Sequence, residues 1–560
     1  MDLERFFTGR GGIAAARRMG LVGLVAALMG LAGAFTLPPL DRDEARFAQA
    51  SAQMLETGDF IVIRFQDDER NKKPAGAYWL QAASVAAFSE PQARAISAYR
   101  LPSVLAAALA AIFTYAAIAR LFDAKAGVLA ALFLATAPVF AAEATIAKTD
   151  ALLLACVAGA GAALAHLFAA AREGGRANAP LAALFWVSIG AGVLIKGPIV
   201  LLVVLPLVLL TAQRFPETQP LGTLRPLTGA LILTLMIGPW AFAIGAATEG
   251  RFFAEAAGAD MLAKVGAAQE SHAGPPGYHL LLAPVLAFPF AALIVPGLVA
   301  AFRLRTEFSV FFLIAWLVPG WLIFEIAATK LPHYVLPLYP ALAGLAALAA
   351  LRPDAAPRAA WRAGAALYAA AGFTLSGAMA ALPLFVGAEL SLIGVAAAIL
   401  IAGLCLAATV RFWRAKPLAG AALSIPAAGI LAVALLAFVL PGLRPLAVSP
   451  QLSAALDEAG LHPLRDGAAP PALAGYYEPS AIFLLGTKTT LGNGVDAADA
   501  LIDRGAAALV EAHEQAAFAA RLNERGARAA PVAVIDGFNY SKGARVNVTI
   551  FRRADEGTRV

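Results

Sequence analysis

The chain has 560 residues, of which 60% are hydrophobic and 14% charged, with a formal net charge of +6 at pH 7. Soluble domains carry about 25% charged residues and about 45–50% apolar ones, so a soluble globular protein is excluded. No basic stripe interleaved with aromatics occurs, which argues against nucleic acid as a partner, and Cys156 and Cys405 both sit in apolar runs, which excludes a disulfide framework.

The first apolar run, Leu21–Leu40, follows Arg5, Arg10, Arg17 and Arg18. At about 20 residues it is long enough to cross a bilayer, so a retained signal anchor is expected rather than a cleaved peptide. Stretches such as Ala126–Ala142 and Ala151–Ala171 come close to the same length, and the alternation of a membrane barrel is absent. A polytopic helical bundle follows. Short basic gaps hold Arg120/Lys125, Arg172/Arg176, Arg214/Arg225, Arg303/Arg305, Arg352/Arg358/Arg362 and Arg411/Arg414/Lys416. These read as cytoplasmic by the positive-inside rule, and they alternate with outward gaps to give about thirteen spans with the C-terminus outside.

The first outward loop, residues 41–94, opens with "LDRDEARFAQASAQMLETGDF". Phe47, Ala50/Ser51 and Met54/Leu55 recur at helical spacing, Gly58 suits a helix end, and Asp41 precedes Glu44 by three residues as in a capping box. The spacing predicts an amphipathic helix on the membrane surface. In its plainest role, the pair Asp43 and Glu44 complements a helix dipole for about 0.3–1 kcal/mol each. Further on, Lys72-Lys73-Pro74 before Tyr78-Trp79 suits either a phosphate grip or interfacial anchoring. Lys148 and Asp150 head another span, and an acid there calls for a cavity or a partner. Lys196 stands alone before Gly197-Pro198, "TKLPHY" brings Lys330, His333 and Tyr334, and the 248–277 gap adds Asp260, Lys264, Glu270 and His272. Acids and lysines thus gather on one membrane face, as a site for a lipid-borne phosphate would require. There is no Walker loop, GxGxxG, HExxH or GxSxG motif.

After Pro441 the apolar pattern stops. Polar helical stretches ("SPQLSAALDEAG", "VDAADALIDRG", "EQAAFAARLNERG") alternate with strand-like runs ("SAIFLLG", "APVAVID", "RVNVTIFRR"). The expected division is a membrane domain over 1–441 and a small extracytoplasmic α/β domain over 442–560.

The ordered set "DRDEARFAQASAQMLETGDF", "NKKPAGAYWLQA", "KTD", "LIKGP" and "TKLPHYVLPLYPALA" resembles the bacterial lipid A aminoarabinose transferases and their relatives in the protein O-mannosyltransferase superfamily. The resemblance implies a GT-C glycosyltransferase with surface-lying helices in its first external loop and an external C-terminal domain. It implies an inverting transfer of sugar from a polyprenyl-phosphate carrier to lipid A or another envelope glycan or protein, at the periplasmic face of the inner membrane. By position, Asp43 matches the catalytic acid, with Glu44 and Arg46 beside it, and Asp150 matches a second functional acid. Lys73 and Tyr334 match positions near the carrier phosphate and Lys196 the lysine of the family's Lys-Gly turn; with Arg46, Lys264 and Lys330 they make up the expected donor-phosphate contacts. Two positions depart from the aminoarabinose enzymes. Lys72 replaces the glutamate of their Glu-Lys-Pro, and Met261 stands where their His-x-x-Arg pattern has histidine, so two ligands of their zinc site are missing. No zinc is therefore expected, and the resemblance fixes no other cofactor, a divalent cation remaining open. The alternatives are a protein O-mannosyltransferase-like enzyme and a lipid or solute transporter, the latter lacking the repeated halves it should show.

Overall fold

The computed structural model describes residues 11–176, 178–256 and 274–554. Among them, nine helices are long and apolar enough to cross a membrane, and up to eleven if each of two bent pairs counts as one span; two shorter apolar helices lie beside them. The chain is an integral membrane protein with a mixed α/β sheet domain at its C-terminal end.

The elements that build the end carrying the first loop come early. Helix α1 is Gly12–Ala34, α2 Asp43–Thr57, α3 Gly76–Phe88 and α4 Ile96–Leu121. The broken pair α5 (Ala124–Thr136) and α6 (Pro138–Thr145) is followed by α7 (Asp150–Arg172) and α8 (Ala179–Lys196). The expected single run at 126–142 is therefore two helices, bent by 64°. Pro138 forces Ala137 into an extended conformation (φ −65°, ψ 135°), which no helix can carry through.

Helix α7 is the central strut, with 94% of its apolar window buried. It packs along α4 and α8, and small residues allow the close approach: a Cβ on Gly159 of α7 would meet the Ser188 hydroxyl of α8 at 2.7 Å.

The first loop departs from expectation in two ways. The capping box does not form. Helix α2 starts at Asp43 after Arg42 (φ 65°) with no side-chain cap, while the Asp41 carboxylate accepts from the Ser480 amide at 3.2 Å. Helix α2 is also buried on nearly every side, from Glu44 to Met54 except Arg46, rather than offering a polar face to solvent. The C-terminal domain covers it. Gly58 does end the helix in the left-handed region (φ 72°), its N–H donating to the Met54 carbonyl.

That domain holds β3 (Ala472–Ala474), β4 (Thr490–Gly492), β5 (Ala508–Glu511), β6 (Ala529–Asn539) and β7 (Ala544–Arg553), the first-loop hairpin Arg64–Phe65/Asp68–Glu69 being β1 and β2. The strand order is β4-β3-β5-β7-β6, with β3 parallel to β4 and β5, and β7 antiparallel to β5 and β6. One core holds Leu452, Leu473 and Leu485, and the other Leu501, Phe518 and Ala474, so helices cover both faces. "SAIFLLG" is a helix, Pro479–Leu485, rather than a strand. Pro479 at its first position favours helix entry, and a fully buried apolar run carries no periodicity to tell helix from strand.

The domain is fastened to the first loop. Gln49 donates to Thr487 at 2.7 Å, Gln66 donates to the carbonyls of Thr487 and Thr489, and Thr487 donates to Glu56. Fully buried Phe483 meets the edge of Tyr99 at 5.3 Å, with the Arg94 guanidinium over its ring.

Candidate functional site

Five ionisable side chains converge where α6, the 146–149 turn, the head of α7, the end of α8 and the "TKLPHY" loop meet. Lys196 is the last residue of α8 because Gly197 (φ 70°) and Pro198 stop the helix there. Its ammonium lies 2.5 Å from Asp150 Oδ1, at the first position of α7. Lys148 lies 3.0 Å from Glu143 Oε2 and 3.6 Å from Asp150 Oδ2. His333 stands between the two acids, its Nδ1 3.5 Å from Glu143 and its Nε2 3.7 Å from Asp150. All five are nearly buried, and Lys196 also sits over the Tyr334 ring at 5.6 Å.

By formal charge two acids and two lysines balance, and the imidazole adds charge only if it is protonated. Burial favours the neutral imidazole: it pushes His333 down to about 3 against the pull of Asp150. Burial also works against the Lys148 ammonium, but Glu143 and Asp150 outweigh it and hold that lysine above its ordinary range. Lys148 therefore stays charged, and each lysine leans on an acid that an incoming phosphate can replace as counter-ion.

Asp43 borders this cluster. It is exposed at the start of α2, and its charge is felt at both Lys148 and His333. Glu44, the next residue, has another occupation. It is 2% exposed and grips Arg100 through two bonds of 2.8 and 2.7 Å. It also accepts from the amides of Leu40 and Ala147, each at 2.8 Å. Arg100 in turn donates to the carbonyls of Leu37 and Pro38. Glu44 thus ties α2, α4, the chain leaving α1 and the turn before Lys148 together, and no bonding capacity is left for a substrate.

The other sequence candidates lie around this centre. Lys330 is buried and donates to the Gly274 carbonyl at 3.1 Å. Lys73 is half-buried and donates to the Lys72 carbonyl at 3.0 Å, three residues before Gly76 meets the end of α8. Arg46 is half-buried on α2. Lys264 lies outside the described residues, as do Asp260, Met261, Glu270 and His272. Among the described residues no group of three or more His, Cys, Asp or Glu side chains is arranged to hold a metal, and in the cluster Lys148 pairs with both acids.

Sequence reasoning missed Glu143 and Arg100. An acid alone in the apolar stretch "VFAAEATIA" is itself a signal, since an intramembrane carboxylate is costly without a partner. The spacing of 143, 148 and 150 hides the cluster, because it runs around a helix end and a turn rather than along one helix face.

Residues 72–241 match the family model of dolichyl-phosphate-mannose-protein mannosyltransferases. Two curated relatives carry the name undecaprenyl phosphate-alpha-4-amino-4-deoxy-L-arabinose arabinosyl transferase. The one from Yersinia pestis is 29% identical over 53% of this chain and 52% of its own. The one from Pseudomonas aeruginosa is 30% identical over 54% and 55%. The chain spans about half the length of these relatives. The crystal structure of apo ArnT from Cupriavidus metallidurans aligns with a TM-score of 0.71 at 19% identity, over 96% of this chain and 98% of that one. The chain has the ArnT fold. The same ArnT bound to undecaprenyl phosphate aligns with a TM-score of 0.69, at the same identity and coverage. The resemblance to GT-C enzymes of the ArnT type, drawn first from motifs, therefore extends over the architecture from the first span to the last strand.

Proposed function

We propose that this chain is an inverting membrane glycosyltransferase, which moves a sugar from a polyprenyl-phosphate carrier to lipid A or another envelope acceptor at the periplasmic face of the inner membrane. The observation that carries the reading is the buried cluster of Lys148, Lys196, Glu143, Asp150 and His333 at one end of an ArnT-fold bundle. In this reading the division at 441/442 separates the catalytic membrane part from a periplasmic domain.

The chemistry follows from the charges. Breaking the bond between the sugar and the carrier phosphate leaves negative charge on the phosphate, and positioned ammonium groups lower that barrier. Lys148 and Lys196 supply them, with Lys73, Lys330, Lys264, Arg46 and Tyr334 as further phosphate contacts. Asp43, exposed at the head of α2, orients or deprotonates the acceptor on the face opposite the leaving group. For an acceptor that is itself a phosphate, as on lipid A, Asp43 serves mainly to orient. Asp150 fixes Lys196, and Glu44 fixes the helix that carries Asp43. The relatives' zinc ligands are lost at Lys72 and Met261, so the purified protein should carry no stoichiometric zinc; one zinc per chain by elemental analysis would refute this ligand comparison.

A second reading, a protein O-mannosyltransferase-like enzyme, is favoured by the family match over 72–241. The acceptor decides between them. Mass spectrometry of lipid A and of envelope proteins from a deletion strain should show a missing sugar on lipid A or another envelope glycan. Loss of sugar from envelope proteins alone would favour the second reading, and no change in either fraction would count against both.

A further inference from the structure

At the other end of α7 lies a second polar site that plays no part in the proposed transfer. Helix α7 has 23 residues, about 34 Å at 1.5 Å per residue, close to the roughly 30 Å thickness of the hydrocarbon core. Its last residue, Arg172, is therefore at the opposite headgroup layer from Asp150. There the ends of α4 and α7 and the start of the span Phe308–Ile326 frame a cavity of about 340 Å³, with Arg120, Arg172 and Ser309 among its walls.

Arg172 is presented differently from an ordinary surface charge. The Arg172 guanidinium lies over two rings, 4.4 Å from Phe308 and 4.9 Å from Phe215, and Phe215 also stacks against Arg214 at 5.3 Å. Such stacking fixes the plane of the fork before any ligand arrives. Each arginine already holds an oxyanion: Arg120 binds Glu173 at 2.6 Å and Arg172 binds Glu217 at 2.7 Å. Those glutamates are 64% and 45% exposed, and water screens exposed pairs so that they hold weakly. A phosphodiester entering from the lipid side can displace them at little cost.

We infer that the cavity at the ends of α4, α7 and Phe308–Ile326 binds the phosphodiester headgroup of an anionic phospholipid through Arg120 and Arg172. The basic gaps on this side are the cytoplasmic ones by the positive-inside rule, where an anionic leaflet supplies the ligand at high local concentration. Its position one full bilayer from the cluster at Asp150 makes this lipid structural, distinct from the polyprenyl donor.

The full chain, purified in a non-ionic detergent, is titrated with phosphatidylglycerol or phosphatidylcholine, and adducts are counted by native mass spectrometry. The wild type should retain phosphatidylglycerol at least tenfold more tightly, and Arg120→Gln with Arg172→Gln should weaken it by roughly thirtyfold, taking about 1 kcal/mol for each basic residue. Folding is checked by size exclusion and by Tm in phosphatidylcholine. Should the double variant fail to fold, Arg120→Gln alone leaves Arg172 in its aromatic clamp and should still cost about fivefold. Equal retention of the two lipids, or unchanged phosphatidylglycerol binding in the variants, overturns the inference. Displacement of the lipid by millimolar inorganic phosphate overturns its lipid source and assigns the site to free phosphate.

Discussion

Two neighbouring acids, Asp43 and Glu44, separate chemistry from scaffolding. Glu44 has four donors and is buried with Arg100. Removing one partner of such a pair costs about 3–5 kcal/mol, because it leaves an uncompensated charge in a dry place. Glu44→Gln should therefore lower Tm and the yield of folded protein. Asp43 is exposed and touches nothing comparable. Asp43→Asn should leave yield and Tm within about 1 kcal/mol of the wild type yet reduce sugar transfer by roughly 10²–10⁴-fold, the usual worth of a positioned acid or base. Transfer assays normalised to folded protein read the contrast, and near-normal turnover by Asp43→Asn would remove it from the site.

The element that carries Asp43 is pinned at its head by Asp41. Burial pushes the Asp41 carboxyl up to about 6, with Glu478 adding to the rise, while Ser480 and Arg42 oppose it. The Tyr540 hydroxyl accepts from the Asp41 amide at 2.6 Å, and Tyr476 also faces the group. A carboxyl raised on docking favours the docked state while protonated. Its contribution is complete below the ordinary value of 3.8 and is lost as pH rises through about 6. Amide protection factors over residues 480–485, with the intrinsic pH dependence of exchange divided out, should accordingly be highest below about pH 4 and fall towards pH 6–7. Asp41→Asn, which keeps an acceptor for Ser480 without a charge to bury, should flatten that profile and keep transfer active. A profile that stays steep in Asp41→Asn would assign it to another group. Local pattern could give α2, its Gly58 end, the last two tail strands and the lone lysines, because periodicity, helix-end chemistry and isolated charge are properties of short stretches. It could not give Asp41 its partner 439 residues away, nor the burial of α2, because both depend on where a distant domain settles. "SAIFLLG" failed for the same reason: only its packing around Phe483 tells what it is.

For the molecule as a whole, the alternation of basic gaps sets a sidedness that labelling can check. With an impermeant thiol reagent on intact cells, Lys72→Cys and Arg525→Cys should react, and Arg414→Cys should react only after permeabilisation; all three positions are exposed. Protection of position 525 in intact cells would reverse the assignment of the sheet domain to the outer side. One further consequence belongs to α7. Its mean hydropathy of 2.1 lets it cross a bilayer unaided, yet 94% of that window ends enclosed by protein. Lipid can touch this helix only during biogenesis. Helix α4, made before it, already lies along one side, and the wall is completed by partners made after it, including Ala179–Lys196 and Phe308–Ile326. Its glycines fit that order: Gly161 leaves room for Trp316, a ring synthesised long afterwards, and a side chain there would meet it directly. A variant at Gly161 should therefore insert normally and fail at closure, leaving a protease-sensitive chain that is correctly threaded through the membrane.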